Sequence, residues 1–217
     1  MRSIVVLISG SGSNLQAIMD LLARDQLDAN IELVLSNRSD AYGLQRATEA
    51  NIKTAVVDHT HYDSREAFDQ AMIEQIDPYQ PDLVVLAGFM RILSDGFVEH
   101  YTGRMINIHP ALLPAYKGLH THQRALADGV EYHGASVHYV TPELDSGAVI
   151  AQGRVPVLEG DDETSLQQRV HRIEHIVYPE VVKWFAQGRL GYQDHMAVLD
   201  GNVLNQAVII DQAPEQH

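Results

Sequence analysis

From Ser3 to His109 the chain repeats one pattern: a short run of apolar, largely β-branched residues, then a segment with helical periodicity. The runs are SIVVLIS, IELVLSN, KTAVVD, PDLVVLAGF and RMINIH. Their length suits strands. PDLVVLAGF is nearly all apolar, as a strand covered on both faces requires. Between the runs, NLQAIMDLLARDQ sets Leu15, Ile18 and Leu22 on one helical face. AYGLQRATEAN, DSREAFDQAMIEQI and SDGFVEHY predict further helices, the middle one capped by Asp63 or Ser64. Such alternation implies parallel strands joined by right-handed crossovers.

After His109 the texture changes. THQRALADG predicts a helical turn or two, and GASVHYVT and AVIAQGRVPV predict adjacent antiparallel strands joined by PELDSG. Asp162 to Gln187 predicts a long helical segment, kinked at Pro179 or split there into two abutting helices, with Gly188 at its C-terminal cap. MAVLDGNVLNQAVII predicts a hairpin around Asp200-Gly201, and DQAPEQH a frayed end. The expected fold class is α/β, a single Rossmann-like domain with a mostly parallel central sheet flanked by helices and antiparallel strands in the C-terminal half. Residues 1–192 make the domain and residues 193–217 a partly flexible tail.

A length of 217 residues suits one domain of ordinary size. No apolar run reaches the length of a membrane span. The N-terminus resembles a signal peptide only briefly, with one Arg, a short apolar run and no small-residue cleavage site. The absence of cysteine excludes disulfides, thiolate metal sites and thiol nucleophiles, and fits a reducing cytoplasm. A net charge of -14 with no basic run disfavours nucleic acid. It still admits an anionic small molecule if the site brings its own donors.

Three motifs carry chemistry. SGSGSNLQAI ends a strand on glycines and starts a helix at Ser13 or Asn14. Glycines let a backbone approach a ligand, and free helix N–H groups bind anions. A dinucleotide fingerprint would need a third Gly where Leu15 stands and an acidic residue after the second strand, which ends LVLSNR. The motif therefore favours a monophosphate, the competing reading being a tight β-α turn with no ligand. In INIHPALLP, Asn107 and His109 alternate onto one side of a strand that two prolines terminate. An imidazole moves protons, an amide stabilises a developing oxyanion, and a carboxylate such as Asp145 in ELDSG orients the imidazole and raises its pKa. No serine or cysteine stands as a nucleophile, so direct transfer is expected. HRIEH, His171 to His175, matches a zinc-peptidase pattern, but that chemistry needs a further ligand well downstream and little more than the tail remains. Its histidines read better as a polar helix face, and no metal is expected.

VLISGSGSNLQAI, SNRSDAYGLQRA, DSREAFD, VVLAGFMRILS, INIHPALLPAYKGLHTHQRAL, HGASVHYVTPELDSG and GRVPV together resemble the phosphoribosylglycinamide formyltransferase family, over about residues 3 to 192. The N-x-H-P-x-L-L-P core also occurs in methionyl-tRNA formyltransferase and formyltetrahydrofolate hydrolase. The phosphate loop, GLHTH and the lack of room for their extra domains separate this chain from both. The resemblance implies that the formyl group of 10-formyltetrahydrofolate, the co-substrate, passes to the amine of glycinamide ribonucleotide. It implies catalytic roles for Asn107, His109 and Asp145. Gly12, Ser13 and Asn14 would hold the phosphate, and His171, Arg172, Ile173 and Glu174 would face the same substrate, Glu174 towards the ribose. Arg65 would meet the folate carboxylates, Met90, Arg91, Ile92 and Leu93 would line the pterin pocket, and the loop Thr141, Pro142, Glu143, Leu144 and Asp145 would close over it. Pro142 stands where an acidic residue is common, and Lys117 in a variable loop position; altered loop mobility is expected rather than lost activity. The implied partners are small molecules, with self-association left open, and the implied location is cytoplasmic. The rivals are a hydrolase that passes the formyl group to water and a noncatalytic binding module.

Overall fold

The structure is a computed structural model, and it describes residues 1–25 and 28–211. The five apolar runs become β1 (Arg2–Ile8), β2 (Ala29–Ser36), β3 (Lys53–Val56), β4 (Leu83–Leu86) and β5 (Met105–His109). The connections are α1 (Ser13–Asp25), α2 (Tyr42–Glu49), α3 (Arg65–Ile76) and α4 (Asp95–His100). Ser64, rather than Asp63, caps α3 by accepting the Ala67 N–H at 3.1 Å. Gln26, expected to close the first helix, lies outside the described residues, as does the DQAPEQH end beyond Asp211.

Next come α5 (Thr121–Asp128), β6 (Tyr132–Tyr139), β7 (Val149–Pro156) and α6 (Glu163–Ala186). β8 (Leu190–Gln193), β9 (Met196–Leu199) and β10 (Asn202–Val203) form a small antiparallel sheet, and β11 (Val208–Asp211) returns to the main one. The main sheet has the order β11-β7-β6-β5-β4-β1-β2-β3. β3, β2, β1, β4 and β5 are mutually parallel, β6 is antiparallel to both neighbours, and β11 lies parallel to β7. This is the α/β architecture expected from the alternation.

β1 is the middle one of the five parallel strands and feeds both apolar layers. Ile4, Val6 and Ile8 pack into the layer that holds α1 and α6, and Val5 and Leu7 into the layer that holds α3 and α4. From β1 the chain winds outward through β2 and β3, then returns to β4 on the other side. The loops leaving β1 and β4 therefore diverge at their carboxyl ends, which opens the crevice where such sheets bind ligands.

Two expectations are narrowed. Of the two alternatives at Pro179, a split into abutting helices does not occur: α6 is one helix with Pro179 inside it. An interior proline costs about 3 kcal/mol, but α6 packs along α1, β6 and β7 and buries Val177, Tyr178, Val181 and Val182 around that point. Burial of this size outweighs the local cost. The helix starts with an Asp162–Ser165 capping box and stops where Gly188, at φ +73°, donates to the Phe185 carbonyl. The second is the tail. A hairpin does turn at Asp200-Gly201, but β9 also pairs with β8, across a turn at Asp194-His195 with φ of +49° and +63°. No glycine marks that turn, so the sequence carries no signal for it. Residue 192 lies inside β8.

Candidate active site

The crevice is built first by the loop from β1 to α1. Gly12 has φ +69°, and a Cβ there would lie 2.6 Å from the Cα of Gly43. Only a glycine–glycine contact lets the start of α2 sit this close to the loop. The Gly43 N–H donates to the Gly10 carbonyl at 3.0 Å, and Arg46 Nε donates to the Ser11 carbonyl at 2.9 Å. With that carbonyl turned towards Arg46, the open N–H groups at the start of α1 give a concave donor surface. From α6, 160 residues away, Glu174 accepts a 3.0 Å hydrogen bond from Asn14 Nδ2. Glu174 is buried, and burial pushes its carboxyl up while the Asn14 bond pulls it back. His171 and Arg172 are exposed on the same stretch. Ile173 is different. Its side chain is fully buried against Gly153 of β7, because two positions along the helix turn it into the core. It faces no ligand.

The second part lies at the end of β5. Asn107 and His109 point to one face, as a two-residue period requires, and β6 brings His138 opposite Asn107. Asn107 Nδ2 is 3.3 Å from His138 Nε2, and His138 Nδ1 is 2.9 Å from the Tyr139 carbonyl. Burial pushes the His138 ring down, towards the neutral form. A neutral ring with its proton on Nδ1 accepts from the amide at Nε2 and leaves the other amide hydrogen and the amide oxygen of Asn107 free.

The loop between β6 and β7 brings Asp145 back to this point. Asp145 is buried at φ +49° and lies with Oδ2 3.4 Å from His109 Nδ1 and Oδ1 3.7 Å from His138 Nε2. The Gly118 N–H also donates to Oδ2, at 3.0 Å. His109 Nε2 is 2.9 Å from the Tyr116 carbonyl, so both ring nitrogens face oxygen acceptors. Ser136, buried on the same face, accepts the Leu113 N–H at 3.0 Å and donates to the Ala111 carbonyl at 2.7 Å, which fastens the proline loop after His109. His138 and Ser136 were missed by sequence reasoning. Their two-residue offset in β6, matching Asn107 and His109, was the available signal.

The third part is the loop after β4. Met90 is 73% exposed, Ile92 64%, and Leu144 of the β6–β7 loop 54%. Arg91 is exposed, Leu93 is half-buried against the α3 layer, and Arg65 opens α3 with its side chain exposed. Thr141 Oγ1 donates to the Glu143 carbonyl at 3.2 Å, Pro142 is exposed beside it, and Lys117 pairs with Glu143 at 3.5 Å. Exposed apolar side chains beside a polar cluster are what a flat, amphipathic ligand covers. Of HRIEH, His175 is half-buried and Glu174 is turned to Asn14. Among the described residues no group of three or more His, Asp or Glu is placed to hold a metal ion, and no helix is long and apolar enough to cross a membrane.

Residues 2–182 match the model of the formyl transferase family. The chain is 55% identical over 202 residues to the phosphoribosylglycinamide formyltransferase of Escherichia coli (strain K12), which covers 93% of this chain and 95% of that protein. It is 45% identical over 190 residues to the trifunctional purine biosynthetic protein adenosine-3 of Drosophila melanogaster, matching 86% of this chain and 14% of that longer protein. The solved phosphoribosylglycinamide formyltransferase of Coxiella burnetii, in complex with CHES, has a TM-score of 0.90 and 52% identity, covering 95% of this chain and 99% of that one.

Proposed function

The chain belongs to the formyl transferase family, and from that premise we infer how its residues perform the reaction: the formyl group of 10-formyltetrahydrofolate passes to the amino group of glycinamide ribonucleotide, a step of purine biosynthesis. The amine attacks the formyl carbon, a C–N bond forms, and the carbonyl electron pair moves onto oxygen. Asn107 hydrogen-bonds that oxygen through its free amide hydrogen. His109 supplies the positive charge and the proton for the intermediate. Asp145 sits on the Nδ1 side of His109, so Nε2 is the nitrogen that exchanges the Tyr116 carbonyl for the reacting group. Collapse expels the folate N10, which takes up a proton as the attacking nitrogen gives one up. Donors aimed at a developing oxyanion are the strongest single aid to acyl transfer.

Gly12, Ser13 and Asn14 hold the substrate phosphate, Glu174 accepts from the ribose hydroxyls, and His171 and Arg172 flank it. Arg65 takes the folate carboxylates, Met90, Arg91, Ile92 and Leu93 hold the pterin, and residues 141–145 cover it. No step is assigned to a metal. On this reading the enzyme works in the cytoplasm on small molecules, without nucleic acid or membrane, and self-association stays open. The observation that carries the assignment is the meeting of Asn107, His109 and Asp145, two residues from one strand end and one from a distant loop, beside the crevice. With a labelled formyl group, the label should appear in the ribonucleotide. Label recovered as formate, whether or not the amine is present, would replace the transferase with a hydrolase.

A further inference from the structure

We propose that Ser9 is a positioning residue whose single hydroxyl pins the phosphate loop to the folate loop across the crevice. The inference rests on the substrate assignment above. The ladder between β1 and β4 ends where the Ala87 N–H donates to the Leu7 carbonyl at 2.9 Å. Beyond that point the two segments separate, one into α1 and the other into residues 88–94, and among the described residues no backbone hydrogen bond joins them. The Ser9 hydroxyl takes over. It accepts the Met90 N–H at 2.8 Å and donates to Asn37 Oδ1 at 2.6 Å.

Asn37 follows β2, and its Nδ2 lies 3.2 Å from Nδ1 of His59, which follows β3. The same ring nitrogen is 3.1 Å from the Asn37 carbonyl. One hydroxyl thus ties the loops after β1, β2 and β4, and through Asn37 the loop after β3. Ser9 is 8% exposed and Asn37 3%, so water does not compete for these bonds. Their placement is specific to function. Ser9 stands three residues before Gly12, and Met90 is the first of the four residues assigned to the pterin. Met90 has its side chain in solvent, so packing does not hold it. Its N–H bond to Ser9 and the Ser94 N–H bond to Asp69 Oδ2 at 2.6 Å are the polar anchors at the two ends of the folate loop. A loop held at both ends before ligand arrives pays less ordering entropy on binding.

The pin has a readout that needs no substrate. In Ser9→Ala the Met90 amide should exchange with solvent about tenfold faster or more, as expected for loss of one buried hydrogen bond. KM for 10-formyltetrahydrofolate should rise about tenfold, more than kcat falls. Ser9→Thr keeps the hydroxyl and should stay near the wild type. A Ser9→Ala protein with a lower melting temperature but unchanged Met90 exchange and unchanged KM would overturn the proposal and leave Ser9 a packing residue. Should Ser9→Ala not fold, Asn37→Ala removes the hydroxyl's acceptor and must raise the same KM, and an unchanged KM there would also overturn it. A wild type that transfers no formyl group to glycinamide ribonucleotide would remove the substrate assignment instead, and Met90 exchange would still decide on the pin.

Discussion

His109 and Asp145 lie thirty-six residues apart in the chain and 3.4 Å apart in space. Each is legible differently. Asn107 and His109 follow from strand period and a proline stop. Asp145 is a candidate carboxylate from the ELDSG turn, but its contact with His109 is not readable there, because its approach depends on a positive φ at a non-glycine residue in a loop that doubles back. His138 has no motif of its own and is found only through the β5–β6 register. Ile173 sits inside a matched motif, yet its helical phase sends it into the core. His109→Ala should lower kcat by roughly 10²–10⁴-fold, the usual loss for a proton-transfer group, with the circular dichroism of a folded protein. Asp145→Asn keeps the shape and removes the charge. It should lower kcat and move the ionisation in the pH–rate profile, and an unmoved profile would take the pair out of the mechanism.

Elements succeed or fail in prediction according to where their information lies. α1 and the five parallel strands carry their own periodicity, and α3 its own cap at Ser64, so they are readable locally. The continuity of α6 through Pro179 is not local, because it is set by what the helix covers. Gly153 shows how close that covering is: a Cβ there would sit 2.4 Å from Ile173 Cγ1, between β7 and α6. Gly153→Ala should destabilise the fold by about 1–3 kcal/mol, as overpacking does, measured by denaturant unfolding. Because α6 also carries Glu174, the same variant should raise KM for glycinamide ribonucleotide. Unfolding and KM left at wild-type values would mean that α6 can move away from the sheet freely. The β8–β9 hairpin is the opposite case, where two non-glycine residues adopt a turn that composition does not announce.

At the scale of the whole molecule, the parallel half of the sheet follows from alternation plus the handedness of crossovers, while the strand order itself is a property of the structure. The crevice between β1 and β4 follows from that order. What alternation could not supply is the buried histidine content. Burial first, then the neighbouring His122 and His109, pushes His133 down to about 4, and burial also pushes His122 and His138 down. His122 and His133 meet edge to face at 5.2 Å. The unfolded chain protonates such rings below about pH 6.5, whereas the native His133 resists down to about pH 4. Stability from this group is therefore complete above about pH 6.5 and is lost as pH falls towards 4, by about 3 kcal/mol. His133→Phe keeps an aromatic ring beside His122 and should flatten the dependence of unfolding free energy on pH in that window. An equally steep fall in the variant would assign the acid sensitivity elsewhere.

Spectroscopic release of tetrahydrofolate from 10-formyltetrahydrofolate, with and without glycinamide ribonucleotide, tests the proposed chemistry most directly. On the proposed assignment an amine is held by its phosphate beside His109, so turnover should depend on the ribonucleotide and yield its formylated product. Equal turnover in its absence, or none with a folded protein and both substrates, would contradict the assignment.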